Sequence, residues 1–238
     1  LWTQRDKLVS AKGLSELSEF AGNVSNLLGQ MDFGDDFLAQ TGCDLQFLSN
    51  LQRFEPGKTP MPQFPAFGMI VPLTDVKQFG QRLESATMMA FSFISMQAAQ
   101  NDKNALLVDV DSYKDCKLIC AKYPDAQADA SHLPQRYNFS PTAAIVKDRF
   151  VLGSTPQFIK DVIDAAEILP TTAQSSAARA SSYMNVKADE LTAILKANLE
   201  PLVAKKMLEE NKTKSQAESE WNMLLKLLSS TEGLAISI

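Results

Sequence analysis

Ala66-Phe-Gly-Met-Ile-Val-Pro-Leu73, followed by Thr74-Asp-Val-Lys-Gln-Phe79, is the stretch that decides the fold. Its first eight residues form a short apolar run of the kind a buried strand shows. Thr74 or Asp75 then offers a helix cap, and the steps between Val76, Phe79 and Leu83 predict a helix continuing to about Gln97. A strand therefore feeds a helix. The same order returns at Ala143 to Val146, a Lys147-Asp148 reversal, Phe150 to Leu152, and then Gly153-Ser-Thr-Pro156, a strong start for a helix carrying Phe158, Ile159, Val162 and Ile163. A third instance is Tyr183 to Val186, ahead of Leu191, Ile194, Leu195 and Leu199. Between the first two units, Leu106 to Val110 and Cys116 to Tyr123 read as two strands joined around Asp111 to Asp115.

Upstream the grammar is helical. Leu14, Leu17, Phe20, Ala21, Val24, Leu27, Leu28 and Met31 repeat at three- and four-residue steps behind a Ser10 cap. Gly34 and Gly42 punctuate the next segment, and Asp44 stands as a cap before Leu45, Leu48 and Leu51, so residues 1–53 are expected to be a helical segment. Phe54 to Pro65 holds four prolines and a glycine, which reads as a connection over 54–65 leading to an α+β domain over 66–238. Pro170 to Ser182 is Ser/Thr/Ala-rich and reads as a solvated linker. The helices reaching Lys206 and around Trp221, Leu224, Leu225 and Leu228 are expected to lie on the sheet, and Gly233 to release a terminal strand. The expectation is an α+β fold: a mainly antiparallel sheet with helices on one face, preceded by an N-terminal helical segment.

Composition supports a folded chain and narrows its partners. The 238 residues are 45% hydrophobic and 21% charged, with 23 Lys+Arg against 28 Asp+Glu and a net charge of −5. Mean hydropathy is −0.12. These values suit a globular protein rather than a disordered or disulfide-scaffold one. The longest apolar run, Met88 to Met96, is interrupted by Ser92 and Ser95 and falls short of a membrane span. Starting at Leu1 and stopping in the strand-like Leu234 to Ile238, the sequence reads as a piece of a longer chain, so its lack of a leader says nothing about that chain.

Two segments carry a resemblance. Phe64-Pro-Ala-Phe-Gly-Met-Ile-Val-Pro-Leu-Thr-Asp-Val-Lys-Gln-Phe79 and Ala143-Ala-Ile-Val-Lys-Asp-Arg-Phe-Val-Leu-Gly-Ser154 look like the paired strand-helix units of an uncharacterised family of bacterial extracytoplasmic proteins. Thr41-Gly-Cys-Asp-Leu45 sits where such proteins often carry a Gly-hydrophobic-Asp-Leu turn. The resemblance spans about Asp36 to Val186. It implies an exported protein, periplasmic or secreted, with a lipid or membrane anchor as an option; it supplies no catalytic residues.

Residues that could carry chemistry fall short of a catalytic set. His132, the one histidine, lies in a polar stretch between Asp129 and Pro134, which weakens any serine-hydrolase or polyhistidine-metal reading. There is no G-x-S-x-G, H-E-x-x-H, Walker or G-x-G-x-x-G motif. Asp109, Asp111 and Asp115 hint at cation spacing, but Tyr113 and Lys114 occupy places a calcium loop needs for ligands. Cys116 and Cys120 on one strand would stand about 13 Å apart, too far for a disulfide. Buried thiols are the expectation, with a Cys43 link to Cys116 or Cys120 as the alternative. Asn23, Asn138 and Asn211 match the glycosylation acceptor pattern and are assigned no role. Lys205, Lys206, Lys212 and Lys214 alternate with Glu209 and Glu210, which reads as a solvated helix face, so nucleic acid is not an expected partner.

Met88, Met89, Phe91, Phe93, Ile94 and Met96 put six large apolar groups within nine positions, more than one helix face can hide. They are either core buried on two sides or a soft apolar binding surface. The first functional expectation is a non-enzymatic extracytoplasmic domain that binds or scaffolds, with no cofactor and no metal. The second is a carrier holding an apolar small molecule in a cavity between helices and sheet. The third is a hydrolase whose carboxylate pair the sequence does not locate.

Overall fold

The computed structural model describes residues 5–27, 30–42, 45–100, 105–125, 133–168, 183–231 and 233–237. Two compact units emerge, each assembled from separated segments. The first comprises Leu1–Leu48, Phe67–Asp125 and Phe139–Asp164, and the second Ser49–Ala66, Ala126–Asn138 and Ala165–Ile238.

The first unit begins with a short helix α1 (Arg5–Leu8) and the longer α2 (Ala11–Leu27), whose Gly13 N–H is capped by Ser10 Oγ at 3.3 Å. A π-helical turn, Phe33–Leu38, comes next, with Asp32 Oδ1 accepting from Gly34 and Asp35 N–H at 2.8 and 2.7 Å. Its aromatics form a ladder: Phe20 meets Phe33 edge-on at 5.6 Å, Phe33 stacks on Phe37 at 5.7 Å, and Phe37 reaches Phe79 at 6.2 Å. The expected helix over Leu45, Leu48 and Leu51 is corrected to a strand, β1 (Gln46–Asn50); its cap, Asp44, lies outside the described residues. Three leucines at three-residue steps fit a helix, but the same stretch puts Leu45, Phe47 and Leu51 at even spacing. Pairing with a neighbouring strand overrides so short a helical signal.

The six-stranded sheet runs β1-β2-β6-β5-β4-β3, with β2 at Ala66–Pro72, β3 at Leu107–Tyr113, β4 at Cys116–Lys122, β5 at Thr142–Val146 and β6 at Arg149–Gly153. After β2 the chain crosses through helix α3 (Gln78–Gln100) to the far edge at β3, then returns as an antiparallel meander until β6 pairs with β2. The strands expected here are all present. Lys147 turns the β5–β6 hairpin with a φ of 56°. β4 buries Leu118, Ile119, Cys120 and Ala121 in succession. One core cluster joins Met31, Val71, Leu73, Phe79, Leu83, Ala86, Ala143 and Phe150, and a second joins Phe91, Leu106, Ile119 and Ala121. After β6, Thr155 Oγ1 accepts from Phe158 N–H at 3.2 Å and starts helix α4 (Pro156–Ile168). Phe158 lies over the facing glycines Gly68 and Gly153: a Cβ on Gly68 would overlap the Phe158 ring and come within 2.6 Å of the Leu152 carbonyl. No larger residue fits there without moving the helix or the strand.

In the second unit β7 (Tyr183–Lys187) pairs antiparallel with β8 (Gly233–Ser237) in a separate two-stranded sheet. The expected terminal strand exists, but it partners β7 rather than extending the large sheet. Helices α5 (Ala188–Ala197) and α6 (Leu199–Glu210) pack on α7 (Lys214–Ser229), and α5 also touches β7 and β8. Thr213 starts α7 with a full capping box on Gln216.

Two buried asparagines hold the Pro-rich connection. Asn138, 1% exposed, accepts from Phe64 N–H at 2.7 Å and donates through Nδ2 to Pro62 O at 2.9 Å and Gln135 O at 2.7 Å. Asn198 repeats the arrangement, accepting from Gln63 N–H at 2.7 Å and donating to Gln63 O at 2.7 Å and Ile194 O at 2.9 Å. A segment rich in proline is short of N–H donors and cannot pair as a ladder, so side-chain amides satisfy its buried carbonyls instead. The linker Pro170 to Ser182 lies outside the described residues.

Candidate binding surface on helix α3

Asp75 Oδ1 accepts from Gln78 N–H at 3.0 Å, satisfying one of the first free donors of α3. The inward stripe of the helix is Phe79, Gly80, Leu83, Ala86, Thr87 and Phe91, all buried. Thr87 returns its hydroxyl to Leu83 O at 2.7 Å, and Ser95 donates to Leu106 O at 2.6 Å, tying the end of the helix to the approach of β3.

The six apolar residues of the Met88 to Met96 run divide. Phe91 is 6% exposed and packs with Leu106, Ile119 and Ala121, whereas Met89, Phe93 and Met96 are 54%, 47% and 51% exposed. Met88 and Ile94 are exposed as well. Met89, Phe93 and Met96 succeed one another at steps of four and three, so they form a single stripe on the solvent side of the helix. The charged residues of α3 belong to its first half, where Arg82 pairs with Asp36 at 3.6 Å and Glu84 with Lys117 at 2.9 Å. From Ser85 to Gln100 the helix carries no charge at all. Water-facing helix surfaces are ordinarily rich in charge, and a Met-rich neutral face is adaptable apolar area.

The other candidates are accounted for by local bonds. Asp109 Oδ1 accepts from Val110 N–H and Asp111 Oδ1 from Ser112 N–H, each at 2.8 Å, so these carboxylates serve their own strand. Among the described residues, no group of three or more His, Cys, Asp or Glu is placed to hold a metal ion. A cavity of about 390 Å³ opens at the β3–β4 hairpin, lined by Asp111, Lys114, Asp115, Cys116 and Lys117 among others. Four of its lining residues, Asp111, Lys114, Asp115 and Lys117, carry charge, and Met89, Phe93 and Met96 do not line it. Beside this hairpin the Tyr113 hydroxyl donates to Asp164 at 3.1 Å and Lys114 Nζ pairs with Asp164 at 2.8 Å; the Lys114 bond holds the Asp164 carboxyl below its ordinary range, with Tyr113 adding to it. Cys116 and Cys120 are both thiols, on a strand as expected; burial pushes the Cys120 thiol up. Cys43 and His132 lie outside the described residues.

The four lysines of the α6–α7 patch are paired: Lys205 with Glu209 at 3.8 Å, Lys206 with Glu220 at 2.6 Å, Lys212 with Glu210 at 2.5 Å and with Glu220 at 2.7 Å, and Lys214 with Glu218 at 3.7 Å. Bonds from Lys206 and then Lys212 hold Glu220 below its usual range, while Glu210 and then Glu220 hold Lys212 above its own. A depressed acid contributes stability above its unfolded pKa of about 4.3 and loses it as pH falls. A raised lysine contributes below its unfolded value of about 10.4 and loses it as pH rises. The contribution of this network, read as the difference between parent and Glu220→Gln melts, should therefore hold level between roughly pH 5 and 10 and drop on both sides. Glu220→Gln should flatten both shoulders; an unchanged pH profile in that variant would mean the network adds nothing.

Of the three acceptor-pattern asparagines, Asn23 and Asn211 are exposed while Asn138 is buried and fully bonded. Sequence reasoning missed Asn138 as a structural residue and Asp109 and Asp111 as acceptors for N–H groups of their own strand. No family model, curated protein or solved structure matches this chain.

Proposed function

We propose that this chain is a non-enzymatic binding or scaffolding domain of an exported bacterial protein, and that α3 is its binding element. The observation that carries the reading is the stripe Met89, Phe93 and Met96, half-exposed on an uncharged helix face whose opposite side is core. Flexible thioethers around one aromatic suit a surface that accepts an apolar partner without a polar code. The export assignment is supported by the resemblance of Phe64 to Phe79 and Ala143 to Ser154.

Among the described residues no helix is long and apolar enough to cross a membrane. A photo-crosslinking residue at position 93, with the protein exported in its own cell, should give discrete adducts to another protein. The same probe at Gln81, on the charged half of α3, should not, and Met89→Lys with Met96→Lys should abolish the adducts without lowering the melting temperature. Adducts that survive the lysines, or that form equally from position 81, would remove α3 as the binding element.

A further inference from the structure

Three tripeptides match the glycosylation acceptor pattern, and the structure separates them. Asn23 stands inside helix α2, and a tripeptide held in the hydrogen-bonded backbone of a helix cannot open into a transferase site. Asn138 is 1% exposed and spends its amide on Pro62 O and Gln135 O. Asn211-Lys212-Thr213 is the whole of the connection between α6 and α7, with Asn211 and Thr213 exposed. The Asn211 backbone is left-handed, φ 52° and ψ 40°, a conformation that ends α6 and that asparagine adopts more readily than most residues. Lys212 Nζ is held by Glu210 and by Glu220, at 2.7 Å to the latter, so the turn keeps its shape without drawing in the Asn211 amide. Thr213 caps α7 through two long bonds to Gln216, 3.1 and 3.3 Å, at an exposed helix end of the kind that frays. Two places ahead of Asn211 stands Glu209, the acid that bacterial transferases of this class read, whereas Asn23 and Asn138 have Ala21 and Arg136 there.

We propose that Asn211 is an N-glycosylation site, the acceptor for an oligosaccharide delivered as a polyprenyl diphosphate. Nδ2 of Asn211 attacks C1 of the first sugar. The N–C1 bond forms as the C1–O bond to the diphosphate breaks, the amide proton passes to a base of the transferase, and polyprenyl diphosphate leaves. No oxidant or reductant enters. A bulky, water-loving glycan needs a surface turn that can carry it without disturbing a core, which the α6–α7 connection is and the site of Asn138 is not. The inference rests on the export reading, because such transferases meet their substrates outside the cytoplasm.

The purified, folded full chain, incubated with a bacterial transferase and its lipid-linked donor, should gain a single glycan by intact mass. Asn211→Asp keeps the size and the left-handed backbone but removes the nucleophilic amide, so the increment should vanish while the helical circular dichroism stays. Asn23→Asp should keep the increment. A chain that stays unmodified, or an increment that survives Asn211→Asp, overturns the proposal. Should Asn211→Asp fail to fold, peptide mapping of the modified parent decides: a sugar on Asn211 supports the site and a sugar elsewhere rejects it. Export is read separately, by fractionating the cell that makes the parent protein. A cytosolic location removes the export reading, and transfer to the purified chain still marks Asn211 as the acceptor.

Discussion

Phe91→Ala should cost about 3–5 kcal/mol of stability in denaturant melts, the usual range for emptying a buried aromatic site, while Phe93→Ala should stay within about 1 kcal/mol of the parent. The two residues are neighbours but one in sequence, and their surroundings differ completely. Phe91 is 6% exposed in a cluster with Leu106, Ile119 and Ala121, so alanine leaves a cavity that the strands beneath can only partly close. Phe93 keeps 47% of its surface exposed and belongs to neither buried cluster, so alanine there leaves an open notch that water fills rather than a closed cavity. Similar losses for both would place Phe93 in the core and withdraw the binding surface; small losses for both would mean that the sheet does not bury Phe91.

The second large effect concerns Asn138. Asn138→Leu keeps the volume but strands the Phe64 N–H and the carbonyls of Pro62 and Gln135, three groups that now share one amide at 2.7–2.9 Å. At about 1–3 kcal/mol for each buried group left unpaired, the loss should reach about 3 kcal/mol or more. Asn138→Asp separates bonding from size. A carboxylate can still accept from Phe64 N–H, but its second oxygen would face two carbonyls, so it should be nearly as unstable at neutral pH and recover in part when acid protonates it. Urea melts at pH 7 and pH 4 measure this. If Asn138→Asp matches the parent at pH 7, the Nδ2 bonds contribute nothing.

Strand-helix units were legible where chemistry punctuates the chain. Of the two caps the sequence offers before α3, Asp75 is the one used; α4 starts at the Gly153-Ser-Thr-Pro156 stretch, where Thr155 is the cap, and the Lys147-Asp148 reversal is the β5–β6 turn. The strand at Gln46–Asn50 was not legible, because three leucines serve a helix or a strand equally and only its place at the end of the sheet, beside β2, decides between them. The division of the α3 cluster was illegible for a related reason. With apolar groups at 88, 89, 91, 93, 94 and 96, periodicity gives no single inner face, and the sheet under Phe91 makes the choice. Asn138 had only its three-residue acceptor pattern to show. Its role depends on the Pro62 carbonyl and the Phe64 N–H, more than seventy positions away, and nothing local to Tyr137-Asn138-Phe139 announces them.

The interleaving of the two units bears on how the chain leaves the ribosome. Every residue of the first unit has been made once Asp164 emerges, whereas the second still awaits residues 165–238, roughly 4–15 s of synthesis at about 5–20 residues per second. During that interval Ser49–Ala66 and Ala126–Asn138 already belong to a unit whose last segment, Ala165–Ile238, is still unmade. Asn138 can take hold of Pro62 and Phe64 at once, because all three are already present. Asn198 cannot close on Gln63 until helix α5 is made. The same proline-rich strap is thus fastened twice, early at one amide and late at the other, and any stall in translation beyond Asp164 would leave a half-fastened species exposed to proteases.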